Sequence, residues 1–199
     1  MSKGLGCLAV IVVVLIVLAL AKMGTYNSLV GLSQATDAQW ANVESSYQRR
    51  ADLIPNLVKT VEGAANFEKS TLEAVTAARA SVGQVQAGPG ITNDPQAFAK
   101  WQASQDQLSG ALSRLLVVVE RYPDLKATAN FRDLQAQLEG TENRIAVERM
   151  RFNETAQAFN TRRQSFPTVL IAGFFGDRFR EKAYFKAEAG AETAPKVQF

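Results

Sequence analysis

The longest regular pattern in the chain is a stripe of apolar positions at helical spacing. Its members follow one another in steps of three and four, and all but Glu68 are apolar or aromatic. This spacing predicts an amphipathic helix and approaches the 3.5-residue repeat of coiled-coil packing. Because Pro55 removes a backbone donor inside the stripe, we expect a kink there and a helix that continues in phase to about Gln86. The stripe comprises Trp40, Val43, Tyr47, Ala51, Ile54, Val58, Val61, Ala65, Glu68, Leu72 and Val75.

Two more long helices are predicted after a turn at Gly88-Pro89-Gly90. Asp94 is a suitable N-cap with Pro95 at the first helical position. This helix should run to about Arg121, where Tyr122-Pro123-Asp124 breaks it. Its apolar positions are Phe98, Trp101, Leu108, Leu112, Leu115 and Val119.

The last long helix should end before Pro167. Its apolar positions are Phe131, Leu134, Leu138, Ile145, Phe152, Ala156 and Phe159. Neither sustained two-residue alternation nor an Asn-Gly or Asp-Gly hairpin turn occurs in the sequence. The predicted fold class is therefore all-α: an antiparallel bundle of three long helices, or four segments if the kinked helix counts as two.

An uncharged apolar run near the N-terminus predicts a membrane anchor. From Gly4 to Ala21 no residue is charged, and Lys3 and Lys22 flank the run. As a helix it would span about 27 Å, close to the hydrocarbon thickness of a bilayer. A cleavable signal peptide is the alternative, because Ala19-Leu20-Ala21 forms an A-x-A triplet. We predict an uncleaved single transmembrane helix at residues 4–22, after a short tail at residues 1–3.

The flanking charges give only a slight indication of orientation. Lys22 is the only basic residue between Lys3 and Arg49. The positive-inside bias therefore tilts by about one charge toward an inner-membrane protein with its bundle outside the cytoplasm. The bundle itself is predicted at residues 23–167.

The segment at residues 168–186 combines apolar and aromatic residues with basic ones. Its candidate docking residues are Phe174, Phe175, Phe179, Tyr184 and Phe185. It is too short to span a bilayer, so it either packs against the bundle or docks on a partner subunit or a membrane surface. Residues 187–199 are small and polar, and we predict that they are disordered.

Charge and composition argue against several function classes. The net charge of +3 falls to about +1 without Lys3 and Lys22. This excess of positive charge is too small to indicate nucleic-acid binding. The sequence has no histidine and a single cysteine, Cys7 in the apolar run. We therefore expect no cofactor, no metal site and no enzymatic activity. Glu139 and Glu142 could form a carboxylate pair, although charge pairs on a solvated helix face are more frequent.

A polar cluster around Pro55 is the main candidate for a structural network or for an assembly contact. It consists of Arg49, Arg50, Asp52, Pro55 and Asn56. Asn56 could cap carbonyl groups freed by Pro55, and Asp52 could pair with an arginine of another helix. The cluster is either a structural network or an assembly joint. Four further asparagines, which we expect to hydrogen-bond inside the bundle, are Asn130, Asn143, Asn153 and Asn160.

These residues carry a resemblance to the LemA family over nearly the whole chain. The most specific matches are RRADLIPNLV at residues 49–58 and YPDLKA at residues 122–127. Shorter matches are YNSLV at 26–30, TAAR at 76–79, TENRI at 141–145 and RFN at 151–153. The chain departs from the family pattern near residues 64–67.

The resemblance implies a bacterial, single-span helical protein with no established enzymatic activity. One relative works in forming magnetosome membranes, peptidases are encoded near others, and the family is often described with an internal bundle. Two functions follow as expectations. One is a scaffold that forms homo-oligomers and organises membrane lipid, and the other is an adaptor that holds a partner protein at the membrane.

Overall fold

The computed structural model describes residues 2–65, 67–85, 87–88 and 90–186, with side chains only in part over residues 2–21. Every regular element in these ranges is helical, which confirms the predicted all-α class. The helices are α1 (Ser2–Glu62), α2 (Lys69–Gln84), α3 (Pro95–Val119), α4 (Pro123–Lys126), α5 (Ala129–Gln164) and α6 (Thr168–Phe174). Short 3-10 turns lie at Ile91–Asn93 and Gly176–Phe179.

The long helices form an antiparallel bundle in which α1 packs along α5 and α2 packs along α3. Leu29 near the start of the packed part of α1 shares a cluster with Phe159 near the end of α5. Val61 at the other end of α1 shares a cluster with Phe131 at the start of α5. We call the Leu29 end the lower end of the bundle and the Val61 end the upper end.

The predicted continuous helix through Pro55 to about Gln86 is wrong. Pro55 lies inside α1, and the chain instead breaks between Glu62 and Lys69. The break lets Val61 and Leu72 enter the same upper core, which one straight helix would forbid. Glycine is a poor helix former, and Gly63 directly follows the end of α1. The bundle has the four predicted segments, but the division lies eight residues later than expected.

The other predicted boundaries agree with the structure. The Asp94 carboxylate accepts hydrogen bonds from the backbone N–H groups of Gln96 and Ala97, 2.9 and 3.0 Å away, with Pro95 at the first position of α3. After α3, the chain makes the short α4, and the Thr128 side chain caps α5. Helix α5 ends at Gln164, before Pro167, as predicted.

The middle of the bundle is an aromatic core. Trp40 contacts Phe98, Trp101, Phe152 and Phe185, with ring centroids 5.0 to 6.2 Å apart. Burying each such side chain stabilises the fold by about 1.5–3 kcal/mol. Phe185 belongs to the C-terminal segment, so that segment completes the middle core.

The structure does not support the predicted transmembrane helix at residues 4–22. Within the described residues, no helix carries an apolar stretch that is long enough to cross a bilayer. The backbone of this region belongs to α1, but most of its side chains lie outside the described part. Of the predicted tail at residues 1–3, residue 1 lies outside the described part and Ser2 and Lys3 belong to α1. The predicted tail at residues 187–199 also lies outside the described part.

Candidate functional site

Arg50 lies buried at the centre of the bundle, although its neighbour Arg49 is exposed. Its Nη1 donates to Ser109 Oγ at 2.6 Å and to Glu142 Oε1 at 3.0 Å. Its Nη2 donates to Gln105 Oε1 at 2.6 Å. One side chain of α1 therefore ties α3 and α5 together through charge-assisted hydrogen bonds.

Tyr47 packs against this guanidinium group. The Arg50 guanidinium carbon lies 4.9 Å from the centre of the Tyr47 ring, a cation–π contact. The Tyr47 hydroxyl is buried and has no hydrogen-bond partner among the described residues. Burial raises the pKa of Tyr47 to about 12, against the opposing effect of the Arg149 and Arg50 charges. This tyrosine therefore stays neutral at physiological pH.

The rest of the proline cluster does not form the predicted network. Asp52 is exposed and accepts a hydrogen bond from Gln48 of its own helix at 2.8 Å, not from an arginine. The Asn56 side chain is exposed and caps no described carbonyl group. Pro55 is half-buried within the continuous α1. Of these five candidates, only Arg50 links different helices.

Arg49 instead lines an open cleft between α1 and α5. The opposite wall carries Arg144, which is also exposed, and neither guanidinium makes an ion pair with a described residue. Glu148 also lines the cleft, but it accepts hydrogen bonds from Gln39 and Arg151. The cleft therefore presents two uncompensated positive charges.

The C-terminal segment runs back along α5 as an extended chain, held by three side-chain amides. Each amide donates to the backbone carbonyl and accepts from the backbone N–H of a single residue. Asn160 pairs in this way with Lys182, with both distances 2.9 Å. Asn153 pairs with Phe185 at 3.0 and 2.9 Å, and Gln102 of α3 pairs with Lys186 at 3.0 and 3.2 Å.

The five predicted docking residues separate into two groups. Phe179 and Phe185 are buried in the bundle, and Tyr184 accepts a hydrogen bond from Asn160 at 2.9 Å. Phe174 and Phe175 are exposed, Phe174 by 85%. The segment therefore both packs on the bundle and leaves aromatic side chains outside.

Five exposed apolar residues lie on or directly beside α6, and we call them the α6 patch. It lies at the lower end, where the Phe175 ring packs 4.9 Å from the ring of Tyr26. The Arg178 guanidinium carbon lies 5.6 Å from the centre of the Tyr26 ring, a cation–π contact. The α6 patch consists of Phe166, Val169, Leu170, Phe174 and Phe175.

The carboxylate pair shows no catalytic arrangement. Glu142 is engaged by Arg50, and the exposed Glu139 accepts a hydrogen bond from Gln135 at 2.9 Å. In the described ranges, no three acidic or cysteine side chains lie close enough to hold a metal ion. Each carboxylate of the pair is therefore engaged by a neighbouring side chain.

Sequence reasoning missed the ion pair between the buried Lys182 of the C-terminal segment and Asp37 of α1. Lys182 is 4% exposed, and its Nζ donates to Asp37 of α1 at 2.7 Å.

The predicted hydrogen bonding of asparagines holds for Asn153 and Asn160, whereas Asn130 and Asn143 are exposed. Asn160 is buried and Asn153 is half-buried, and they lie seven residues apart on α5, a spacing that places them on one face.

Comparisons with known proteins place these features in a family. The family model of the LemA family matches residues 39–199. Magnetosome protein MamQ 2 of Paramagnetospirillum magneticum is 27% identical over 186 residues, covering 84% of this chain and 67% of that protein. Magnetosome protein MamQ of Magnetospirillum gryphiswaldense is 26% identical over 204 residues, covering 94% and 74%.

A further relative carries the family name. Protein LemA of Metamycoplasma hominis is 24% identical over 130 residues, covering 65% of this chain and 55% of that protein. The family model extends over far more than half of the chain. It includes Arg50 and the three side-chain amides that hold the C-terminal segment. The chain belongs to the LemA family.

Proposed function

We propose that this protein is a membrane-anchored helical scaffold that self-associates and organises or shapes the bacterial membrane. The observation that carries the proposal is the position of the α6 patch. The patch packs on Tyr26, four residues after the Lys22 that bounds the apolar run. Four helical residues span about 6 Å, so an anchor at residues 4–22 would bring the patch to the bilayer surface.

The chemistry of the lower end suits a lipid interface. Phe166, Leu170 and Phe174 are 64% to 85% exposed, which is costly in water but favourable in the headgroup region. Lys22 and Arg178 are exposed nearby and can attract anionic headgroups. In this arrangement α6 gives the bundle a second membrane contact beside the anchor, which would fix its tilt.

Buried ties give the bundle the rigidity that a scaffold requires. Arg50 joins three helices, and the amide pairs fasten the C-terminal segment along two of them. Similarity to proteins named for the magnetosome supports a helical protein associated with a bacterial membrane. Self-association would then convert one tethered bundle into an array on the membrane.

The membrane contact can be tested with environment-sensitive labels on the full chain. In a Cys7→Ser background, Phe174→Cys carries a fluorophore, and the protein is reconstituted into vesicles with about a quarter anionic lipid. Val117→Cys is the matched control, because Val117 is a 65%-exposed apolar residue near the upper end of α3. We expect a blue shift and strong quenching by bilayer-embedded quenchers at position 174, with neither effect at 117. Equal, water-like emission at both positions would refute the membrane contact.

The alternative function is an adaptor, favoured by the cleft between α1 and α5. Arg49 and Arg144 face this cleft without a carboxylate partner, so an acidic segment of another protein could bind there. A double Arg49→Ala/Arg144→Ala variant would then lose a stoichiometric partner while it keeps its thermal stability. Unchanged co-purification of that partner would exclude the cleft as its binding site.

A further inference from the structure

The lower half of the bundle contains a cleft that the protein fills with its own extended segment. Helix α2 covers the upper half of α3 but ends at Gln84, and no other helix continues in its place among the described residues. Residues 181–186 occupy this position with no regular secondary structure. They contact α1, α3 and α5, so the cleft is shaped to receive a peptide.

The cleft makes many hydrogen bonds to the backbone of the segment. The three amide pairs supply six hydrogen bonds to the main chain of Lys182, Phe185 and Lys186. A seventh bond runs from the Ala183 N–H to the Thr92 carbonyl oxygen at 2.7 Å. Paired donors and acceptors of this kind replace the ladder that a neighbouring strand would offer to an extended peptide.

Two side chains of the segment provide sequence specificity. The buried Lys182 ammonium reaches Asp37 at 2.7 Å and lies 5.8 Å from the centre of the Phe159 ring. Phe185 enters the aromatic core, and the Arg149 guanidinium stacks 4.7 Å from the centre of its ring. The contacts of the cleft therefore match an extended segment with lysine and phenylalanine three residues apart.

We propose that this cleft is a peptide-binding site, and that in the assembled protein it binds residues 181–186 of a second copy by reciprocal exchange. The inference rests on the scaffold function proposed above and names the contact that links its copies. Exchange conserves every contact just described, because the incoming segment has the same sequence as the one it replaces. The free-energy cost of exchange comes only from rearranging the connection between α5 and α6 and from bringing two copies together.

The connection suits exchange between neighbours on one membrane. Ser165 follows α5 with an extended backbone, φ −72° and ψ 145°, and residues 165–167 separate α5 from α6. Three extended residues reach at most about 10 Å, so the two copies must be in direct contact. With the anchor of the scaffold function proposed above, the copies would hold their lower ends at the same height above the membrane. Residues 165–186 can therefore cross to a neighbour without vertical displacement.

Cross-linking between differently tagged copies tests the exchange. Gln164 closes α5 and Glu181 opens the segment, both are exposed, and their side chains approach to 3.5 Å. In a Cys7→Ser background, one full-length copy carries Gln164→Cys and the other Glu181→Cys, and both are reconstituted together in vesicles. We expect a short bis-maleimide to produce a cross-linked pair that contains both tags.

The matched control uses two neighbouring positions on one helix, which exchange of the C-terminal segment cannot bring together between two copies. Gln48 and Asp52 are exposed on α1, and their side chains lie 2.8 Å apart within one helix. Copies that carry Gln48→Cys and Asp52→Cys separately should yield no mixed pair, which excludes links by random collision.

A single chain that carries both Gln164→Cys and Glu181→Cys measures cross-linking within one copy, which is the result expected without exchange. If the cross-linker joins the two cysteines only within one chain, or joins neither arrangement, the exchange is refuted. The fluorescence test at Phe174 is independent of this result. A refuted exchange with a quenched label would therefore leave the membrane contact intact, and the reverse outcome would separate the two proposals equally well.

Discussion

Arg50 of α1 and Glu142 of α5 form an ion pair, with Arg50 Nη1 3.0 Å from Glu142 Oε1, in which the arginine is 1% exposed and the glutamate 36%. The pair joins the two helices that make the most extensive contact in the bundle. A desolvated guanidinium is costly unless its donors are satisfied, and Ser109 and Gln105 complete most of its hydrogen bonds. The pair therefore fixes the register of α1 against α5.

Replacement of Arg50 should destabilise the fold strongly. We expect Arg50→Ala to lower the free energy of unfolding by about 3–5 kcal/mol, because Glu142 and Gln105 lose a buried partner and a cavity remains. Urea denaturation followed by far-ultraviolet circular dichroism measures the change. The matched control is Arg49→Ala, an exposed neighbour expected to change stability by less than about 0.5 kcal/mol. Equal effects of the two variants would contradict the assigned role of Arg50.

The buried Tyr47 hydroxyl should make the fold sensitive to alkali. Its pKa rises from an ordinary value near 10 to about 12 in the folded state, so between these values the unfolded chain binds fewer protons. Its stabilising contribution is complete below pH 10 and is lost as the pH rises toward 12, by roughly 3 kcal/mol in total. Denaturation at pH 8 to 11.5 should show a steeper decline for the wild type than for Tyr47→Phe. Parallel profiles would contradict this prediction.

The amide pairs of the C-terminal segment should contribute measurably to stability. Asn160→Ala removes hydrogen bonds to both backbone groups of Lys182 and to the Tyr184 hydroxyl, and should cost about 3 kcal/mol. Asn143→Ala on the same helix is the control, since Asn143 is exposed and should change little. Thermal unfolding in mild detergent compares them, and a cost for Asn160→Ala as small as the control's would show that the segment does not dock as described.

Two phenylalanines of the C-terminal segment should behave in opposite ways. Phe185→Ala should lower the free energy of unfolding by about 3–5 kcal/mol, because the ring fills the aromatic core. Phe174→Ala should leave stability in detergent nearly unchanged, because the ring is exposed. The same two variants in vesicles should show weakened membrane contact only for Phe174→Ala. A large loss of stability from Phe174→Ala would contradict its assignment to a surface.

The sequence allowed the helical class and most boundaries to be predicted because those features are local. The Asp94-Pro95 cap and the end of α5 before Pro167 depend on a few adjacent residues. The break after Glu62 was not predictable in the same way, since the apolar stripe continues in phase across it. Only the packing of Val61 and Leu72 into one core reveals the reversal.

The inward position of Arg50 carried a signal that was overlooked. It lies three residues after Tyr47 and four before Ile54, so it belongs to the apolar stripe, whereas Arg49 does not. The partners of Lys182 carried no such signal, because Asp37 lies 145 residues earlier in the chain. Long-range pairs of this kind depend on the tertiary fold and leave no local pattern.

The scaffold proposal is tested most directly by single-particle imaging of the full-length protein in lipid nanodiscs. We expect assemblies of several copies, each with its α6 end against the lipid and the Val117 end of α3 pointing away from it. Continuous density from α5 of each copy into the cleft of its paired neighbour would identify the reciprocally exchanged segment. Single, separate bundles whose α6 patch faces solvent would contradict the account.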